Sequence, residues 1–379
     1  MSASSSLSVS TQRAIAGMRR LCCVGLDGQT AIPALLDELH ALIPSTNNFF
    51  MWAGPNQELA NMYGEGDLLQ SMPLYFSDFH KKRELDVIRT FSEVMRRNRR
   101  SEVMTYEESF LKVGRRTYER HDFYNAILRP HGIDHMLHLK VAEHGRCLGL
   151  LHVSRQNGET EFTERDRTLL EWIAPFAAHA LAPGRPDEHV VESDDRGLII
   201  ATPAGEIRHL SPEARRLIML AVHPELSPAA LSRAGPGPLL PPEVARLCQD
   251  LGQIFEDKAF SAAPVCQLTN PWGAFTFRAY WLDRDDGPSA SALIGITIER
   301  LEPLALKLWR RAEELPLTGR EIEVCLLLAL GRPRAEINDR LGVSENTAIT
   351  HCRNLYAKLG VHSRAELIES LHTQLQEQT

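Results

Sequence analysis

The sequence predicts two α/β domains, each an antiparallel sheet with flanking helices, followed by an all-α domain of four helices. Three observations carry this. Apolar runs with strand character recur on either side of turn signals at 136–153 and at 274–298, the pattern of paired strands. Helical periodicity bounded by capping residues fills 317–375. Pro- and Gly-containing breaks fall at Ala182–Asp187, Glu302-Pro303 and Leu315-Pro316-Leu317.

The 379 residues suggest two or three domains at about 150 residues each, and the breaks resolve them into three. With 43% hydrophobic and 24% charged residues the chain is ordinary globular material, which excludes global disorder. A net charge of -7 excludes a protein that coats nucleic acid by bulk positive charge and leaves local binding open. Seven scattered cysteines without a C-x-x-C repeat suggest neither a disulfide framework nor a zinc module. The Ser-rich start has no long apolar core behind it, unlike a secretory signal. No run reaches the roughly 18 apolar residues of a membrane span. A cytoplasmic protein without membrane contact is expected.

In chain order, residues 1–20 read as a flexible N-terminus and Cys22-Cys23 as part of a strand. Ala31–Ile43 reads as a helix and Asn48–Ala53 as a strand. Glu84–Arg100 reads as one helix with Leu85, Ile88, Phe91 and Met95 on one side. Met136–Val141 alternates, which puts His138 on the outward side relative to Leu137 and Leu139. His144-Gly145-Arg146 turns the chain into the strand Cys147–Val153, and the cap Phe162–Asp166 opens a helix through about Leu181. In the second domain Gly197–Thr202 and Ile207–Leu210 read as strands, and Ser211-Pro212-Glu213-Ala214 as a helix start. Gly235–Pro238 with Pro241-Pro242 reads as an internal loop, and Ala274–Trp281 and Ala292–Ile298 as the later strands. Leu304–Glu314 reads as an amphipathic connector helix with Leu304, Leu308 and Arg311 in phase.

The C-terminal block is the most informative. Thr318-Gly319-Arg320-Glu321 and Ser363-Arg364-Ala365-Glu366 are capping boxes, and Ser344 is placed to cap a third helix from about Glu345 to Leu359. At about 100° per residue, Ala348, Cys352, Leu355 and Leu359 of that helix share a buried face. Asn346, Ile349, Thr350, Arg353 and Ala357 point away, with Asn354 beside them. A small, polar face with one Arg can enter a major groove. There Arg pairs with guanine or phosphate, Asn with adenine, and Ile349 meets a thymine methyl. Two helices joined by a short Gly-containing turn, Gly342-Val343-Ser344, fit a helix-turn-helix.

The residues Leu317-Thr318-Gly319-Arg320-Glu321, Gly331, Glu336-Ile337, Leu341-Gly342-Val343-Ser344, Thr347, His351, Asn354, Tyr356, Lys358-Leu359-Gly360-Val361 and Ser363–Leu367 make the segment 316–379 resemble the LuxR/FixJ-type DNA-binding domain. The resemblance implies a third helix that reads double-stranded DNA, usually in a homodimer on inverted half-sites. It implies base or backbone contacts for Ile349, Thr350 and Arg353, and places Lys358 near phosphate. Arg334 joins the expected interface. The chain departs from the family at Ile349, where a Lys is usual, at Asn338, where an Ala is usual, and at Pro333-Arg334, where a Ser-Asn pair is usual. The segment carries seven basic and eight acidic residues, so non-specific attraction from counterion release is expected to be modest.

Upstream, Gly149–Val153, Phe162–Asp166 and Leu169-Leu170 make 21–182 resemble a GAF domain. The entry Gly197–Thr202, Ile207–Leu210, Ser211–Ala214 makes 187–301 resemble a PAS domain, with its usual middle helices replaced by the Pro-rich insertion. The segment 303–315 would connect them to the reader. These resemblances imply α/β sensors that bind a small-molecule effector or dimerise. Trp52, Tyr63, Tyr75 and Phe76 are the candidate ligand-lining aromatics. His131, His135, His138, His144 and His152 crowd one region but lack a ligand spacing, so no metal is expected. No G-x-S-x-G, P-loop, G-x-G-x-x-G or H-E-x-x-H appears, so neither catalytic residues nor a cofactor is expected. Asp194-Asp195 does not make a phosphorylation site, because Ala234–Pro242 offers no acceptor Asp. The alternative reading is an interaction protein whose C-terminal helices dock another regulator without touching DNA.

Overall fold

The computed structural model describes residues 9–23, 25–181, 190–233, 239–255, 265–282, 293–312 and 315–376. The expected linker Ala182–Asp187 and the loop Gly235–Pro238 lie outside them. Contacts divide the chain into two compact units, one of residues 1–23, 27–184 and 222–239, the other of 24–26, 185–221 and 240–379.

The first unit opens with α1 (Val9–Cys23) and α2 (Gly28–Leu42). Residues 9–20 are therefore helical rather than flexible, and Cys22-Cys23 ends a helix rather than joining a strand. Met18, Leu21 and Cys22 account for this, recurring at helical spacing and nearly fully buried. A five-stranded antiparallel sheet follows, in the order β2-β1-β5-β4-β3. Its strands are β1 (Phe49–Ala53), β2 (Leu59–Gly64), β3 (Glu102–Thr105), β4 (His135–Glu143) and β5 (Arg146–Arg155). The β4–β5 turn uses His144 and Gly145, both at positive φ (49° and 72°), as a tight hairpin requires. Between β2 and β4 run α3 (Leu68–Leu74), α4 (Phe91–Arg97), α5 (Tyr106–Ser109) and α6 (Arg115–Glu119). The expected helix Glu84–Arg100 is thus broken. Ile88 bridges to Leu111 as an isolated strand pair, and Thr90 caps α4 in a full capping box with Glu93. The unit closes with α7 (Glu164–Ala180), capped by Thr163 as expected and packed on β4, β3, α1 and α2.

Both faces of this sheet are buried. Register pairs share a face, so Phe50, Leu151 and Leu139 line one side, all fully buried. Phe49, His152 and His138 line the other. His138 is 0% exposed, which corrects the expected outward placement.

The second unit is built on an antiparallel sheet in the order β7-β6-β10-β9-β8. The strands are β6 (Val190–Ala201), β7 (Ile207–Leu210), β8 (Val265–Asn270), β9 (Gly273–Leu282) and β10 (Leu293–Pro303). α8 (Pro212–Val222) buries Ala214, Leu217, Ile218 and Ala221 on one stripe. α10 (Pro242–Phe255) buries Val244, Cys248 and Leu251. The middle helices are therefore not replaced by the Pro-rich segment, because Pro242 sits at a first helical position, where its missing N–H costs nothing. α9 (Pro228–Arg233) belongs to the first unit, where it packs on α3 and β2, and Leu226 donates its N–H to Asn61 Oδ1 at 2.7 Å.

α11 (Leu304–Arg310) follows β10 directly. It is shorter than the expected Leu304–Glu314 and is not amphipathic: Leu304, Ala305, Leu306, Lys307, Leu308 and Trp309 are all buried. It packs on β6 and β10 on one side and on two helices of the C-terminal domain on the other. That domain has the four helices expected, α12 (Gly319–Ala329), α13 (Arg334–Leu341), α14 (Glu345–Leu359) and α15 (Arg364–Gln376).

Candidate nucleic-acid interface

The interface is set up by local chemistry. Thr318 caps α12 in a reciprocal box with Glu321. α13 ends at Gly342 in the left-handed conformation (φ 61°), where a side chain would be strained. Ser344 then accepts the Thr347 N–H to start α14. Ser363 caps α15 by accepting the Glu366 N–H, while the Glu366 carboxylate reaches back to the N–H of His362 at 2.9 Å. Three residues therefore turn the chain between α13 and α14, the connection of a helix-turn-helix.

α14 buries Ala348, Cys352 and Leu355 against its neighbours. Asn346, Thr350, Arg353, Asn354 and Ala357 are exposed, and Ile349 is half-buried. The wheel is thus reproduced except at Leu359, expected on the buried face, and Ile349, expected to point away, which are both half-buried. The Thr350 hydroxyl donates back to the Asn346 carbonyl at 2.9 Å. Arg334 and Arg353 line one open groove with Ile349, Tyr356, Ala357 and His362.

The charges sort into two sets. Arg320 pairs with Glu323 and also reaches the Leu341 carbonyl. Arg332 and Arg340 both face Glu336. Arg364 donates to the Leu328 carbonyl at 3.1 Å. Lys358 pairs with the buried Glu321 at 2.7 Å, and that hydrogen bond, with the Thr318 N–H, pulls the Glu321 carboxyl down to about 2. Lys358 is therefore held toward α12. Arg334 and Arg353 have neither a carboxylate nor a carbonyl partner among the described residues, and both are exposed. These two guanidinium groups, without a partner among the described residues, lie together on the groove that α14 presents.

Residues 315–371 match the family of bacterial regulatory proteins of the luxR type. The C-terminal domain is a luxR-family domain. Relatives of this luxR-type segment include Fimbriae Z protein of Salmonella typhimurium, 41% identical over 56 residues, which are 15% of this chain and 27% of that protein. Transcriptional regulatory protein MctR of Rhizobium johnstonii is 45% identical over 53 residues, 14% of this chain and 25% of that one. Probable transcriptional regulatory protein SgaR of Hyphomicrobium methylovorum is 44% identical over 59 residues, 16% and 28% of the two chains. The chain thus spans about a quarter of the length of these relatives. A solved structure, the phage VqmA-DPO complex, aligns over 48% of this chain and 83% of that chain at 19% identity with a TM-score of 0.20, a level that carries no fold argument.

The candidate ligand-lining aromatics divide by sheet face. Tyr75 and Phe76 line a cavity in the first unit. Trp52 and Tyr63 do not: Tyr63 is the register partner of Phe50, and Trp52 packs edge-on against Phe50 at 4.7 Å, on the opposite face. Sequence reasoning missed His152, Phe49, Met51 and Met62, which meet in that cavity. Their signal is the odd–even parity of the strands. Among the described residues no group of three His, Cys, Asp or Glu side chains is placed to hold a metal ion, and no helix is long and apolar enough to cross a membrane. Asp195 is a structural acid: burial opposes its ionisation, but Arg216 at 2.5 Å and Arg300 at 3.3 Å hold it below the ordinary aspartate range.

Proposed function

We propose that the protein is a DNA-binding transcriptional regulator, not an enzyme, in which α14 reads the major groove and the two upstream α/β domains respond to a small molecule. The observation that carries the reading is the pair of guanidinium groups, Arg334 and Arg353, without a partner among the described residues, beside the exposed small-polar face of α14 in a luxR-type domain. The shared strand order of the two sheets, with the second strand outside the first and the last strand in the middle, supports reading them as GAF-like and PAS-like modules. Control then requires that the effector bind one arrangement of a homodimer better than another.

The test is selection of bound duplexes from a random library with the full chain, followed by fluorescence anisotropy on the enriched site at fixed salt. Arg353→Ala should weaken binding roughly 5- to 150-fold, the loss of one bidentate contact worth about 1–3 kcal/mol. Failure to enrich any sequence, or an Arg353→Ala titration that overlays the parent, would overturn the reading in favour of a docking role.

A further inference from the structure

The cavity of the first unit is small, about 70 Å³, and open at one mouth. Its wall is almost wholly apolar. Met51, Met62, Met72 and Met136 line it, four of the nine methionines of the chain. Such unbranched, polarisable side chains adapt to varied apolar shapes. Rings of Phe49, Phe76, Phe110 and Phe123 line it too. No carboxylate, ammonium or guanidinium group lines it.

The polar groups at this wall are unequal. The Tyr75 hydroxyl is taken up by Glu84 at 2.7 Å and His80 at 3.1 Å. His152 is different. It is 2% exposed, stacked on Phe49 at 3.9 Å, and neither of its ring nitrogens has a hydrogen-bond partner among the described residues. Its register partner His138, 4.3 Å away between ring centroids, bonds Ser109 through Nδ1 at 2.9 Å and leaves Nε2 without a partner. A buried polar atom left unpaired costs about 1–3 kcal/mol, and three lie side by side here. Such a cluster is explained when a ligand supplies the missing partner.

We infer that this cavity binds a neutral, largely apolar small molecule carrying one hydrogen-bonding group, which the His152 imidazole engages while the methionine and phenylalanine wall holds the remainder. A neutral imidazole donates from one nitrogen and accepts on the other, so a hydroxyl, carbonyl or secondary amine suits it. An ionised ligand does not, because the wall offers no opposite charge. The inference rests on the reading of the first unit as a ligand-responsive domain, and it is independent of DNA binding.

The probe is pyrrole, a neutral five-membered aromatic ring with one N–H, small enough for the cavity, with its binding read by titration calorimetry. Titrated into the full chain, it should bind saturably at one site. His152→Phe keeps the stacking and removes both nitrogens, and it should weaken binding about 2- to 10-fold, as expected for one hydrogen bond. Met72→Trp should abolish binding by filling the cavity. Met51→Trp, at a half-buried position, gives the same test with less risk to folding, and circular dichroism checks each variant. Absence of saturable binding, or binding that survives both tryptophan variants in folded protein, overturns the site. Binding lost in those variants but unchanged in His152→Phe overturns the role of His152. DNA binding by the same preparation separates this from the regulator reading, since a failed probe titration beside an intact anisotropy curve removes the cavity assignment alone.

Discussion

The two sheets share one strand order, 2-1-5-4-3 in their own sequence, and solve burial in opposite ways. The second is a one-sided sheet. Ile199, Ile294, Ile296, Ile298 and Phe277 fill the inner face at 0% exposure, while Leu198 and Tyr280 on the other face are 51% and 50% exposed. Its buried charges are neutralised locally, with Asp195 between Arg216 and Arg300. The first sheet is covered on both faces, and on one of them it spends burial on two histidines instead of aliphatic packing. One frame can thus be either a packed core or the back wall of a cavity. The difference lies in a few side chains of one parity.

Three perturbations sharpen this contrast, each read by amide hydrogen exchange on strand peptides of the two sheets. The largest effect is expected in the packed one. Phe277→Ala should destabilise the second sheet by about 3–5 kcal/mol, the cost of a large core truncation, and leave β4–β5 protection unchanged. Equal loss in both sheets would mean that they unfold together.

A smaller effect is expected from acid. Burial lowers the imidazole of His138 to about 3, and that of His152 well below its usual value. The unfolded imidazole, near 6.5, takes up a proton that the folded one refuses. Stability of the first sheet should therefore be complete above about pH 6.5 and decline as the pH falls from there toward 3. Asp195 is shifted in the same direction from a lower starting point, so its contribution persists above about 3.9 and is lost only below that. Between pH 7 and pH 5 the first sheet should weaken while the second holds. A flat response of β4–β5 across that interval would refute the neutral-histidine account. The smallest effect is expected for His138→Leu, within about 1 kcal/mol of the parent at pH 7, because a lost Ser109 bond is offset by removal of an unpaired nitrogen. A loss of several kcal/mol would show that the histidine is a structural bond donor.

The same contrast explains what the sequence reveals. The C-terminal domain is legible nearly to the residue, because Thr318, Gly342, Ser344 and Gly360 act on their immediate neighbours. The outward face of α14 follows from a single helical period. The pairing of Lys358 does not, because its partner Glu321 lies 37 residues away. In the first unit β1, β4 and β5 are legible, β2 and β3 are not, and the facing of the strands is hidden. Alternation identifies a buried side only when the other is wet, and here Leu139 and His138 are both fully buried. Glu84–Arg100 shows the same limit, since helical spacing continues across Ile88 while a pairing with distant Leu111 breaks the helix. The cavity gathers residues from Phe49 to His152, and no local signal joins them.

The burial of α11 on every side has an engineering consequence. A chain cut after β10 to liberate the reader domain would carry Leu306, Leu308 and Trp309 into water, an adhesive stub prone to self-association. A cut beyond α11 would instead strip apolar cover from α12 and α15. The natural exchange unit for grafting this reader onto another sensor therefore includes the whole second sheet, because β10 is its central strand and α11 also packs on β6. A chimera that keeps β6 to β10 with the reader should stay soluble where one spliced at Glu302-Pro303 or at Leu315-Pro316-Leu317 precipitates.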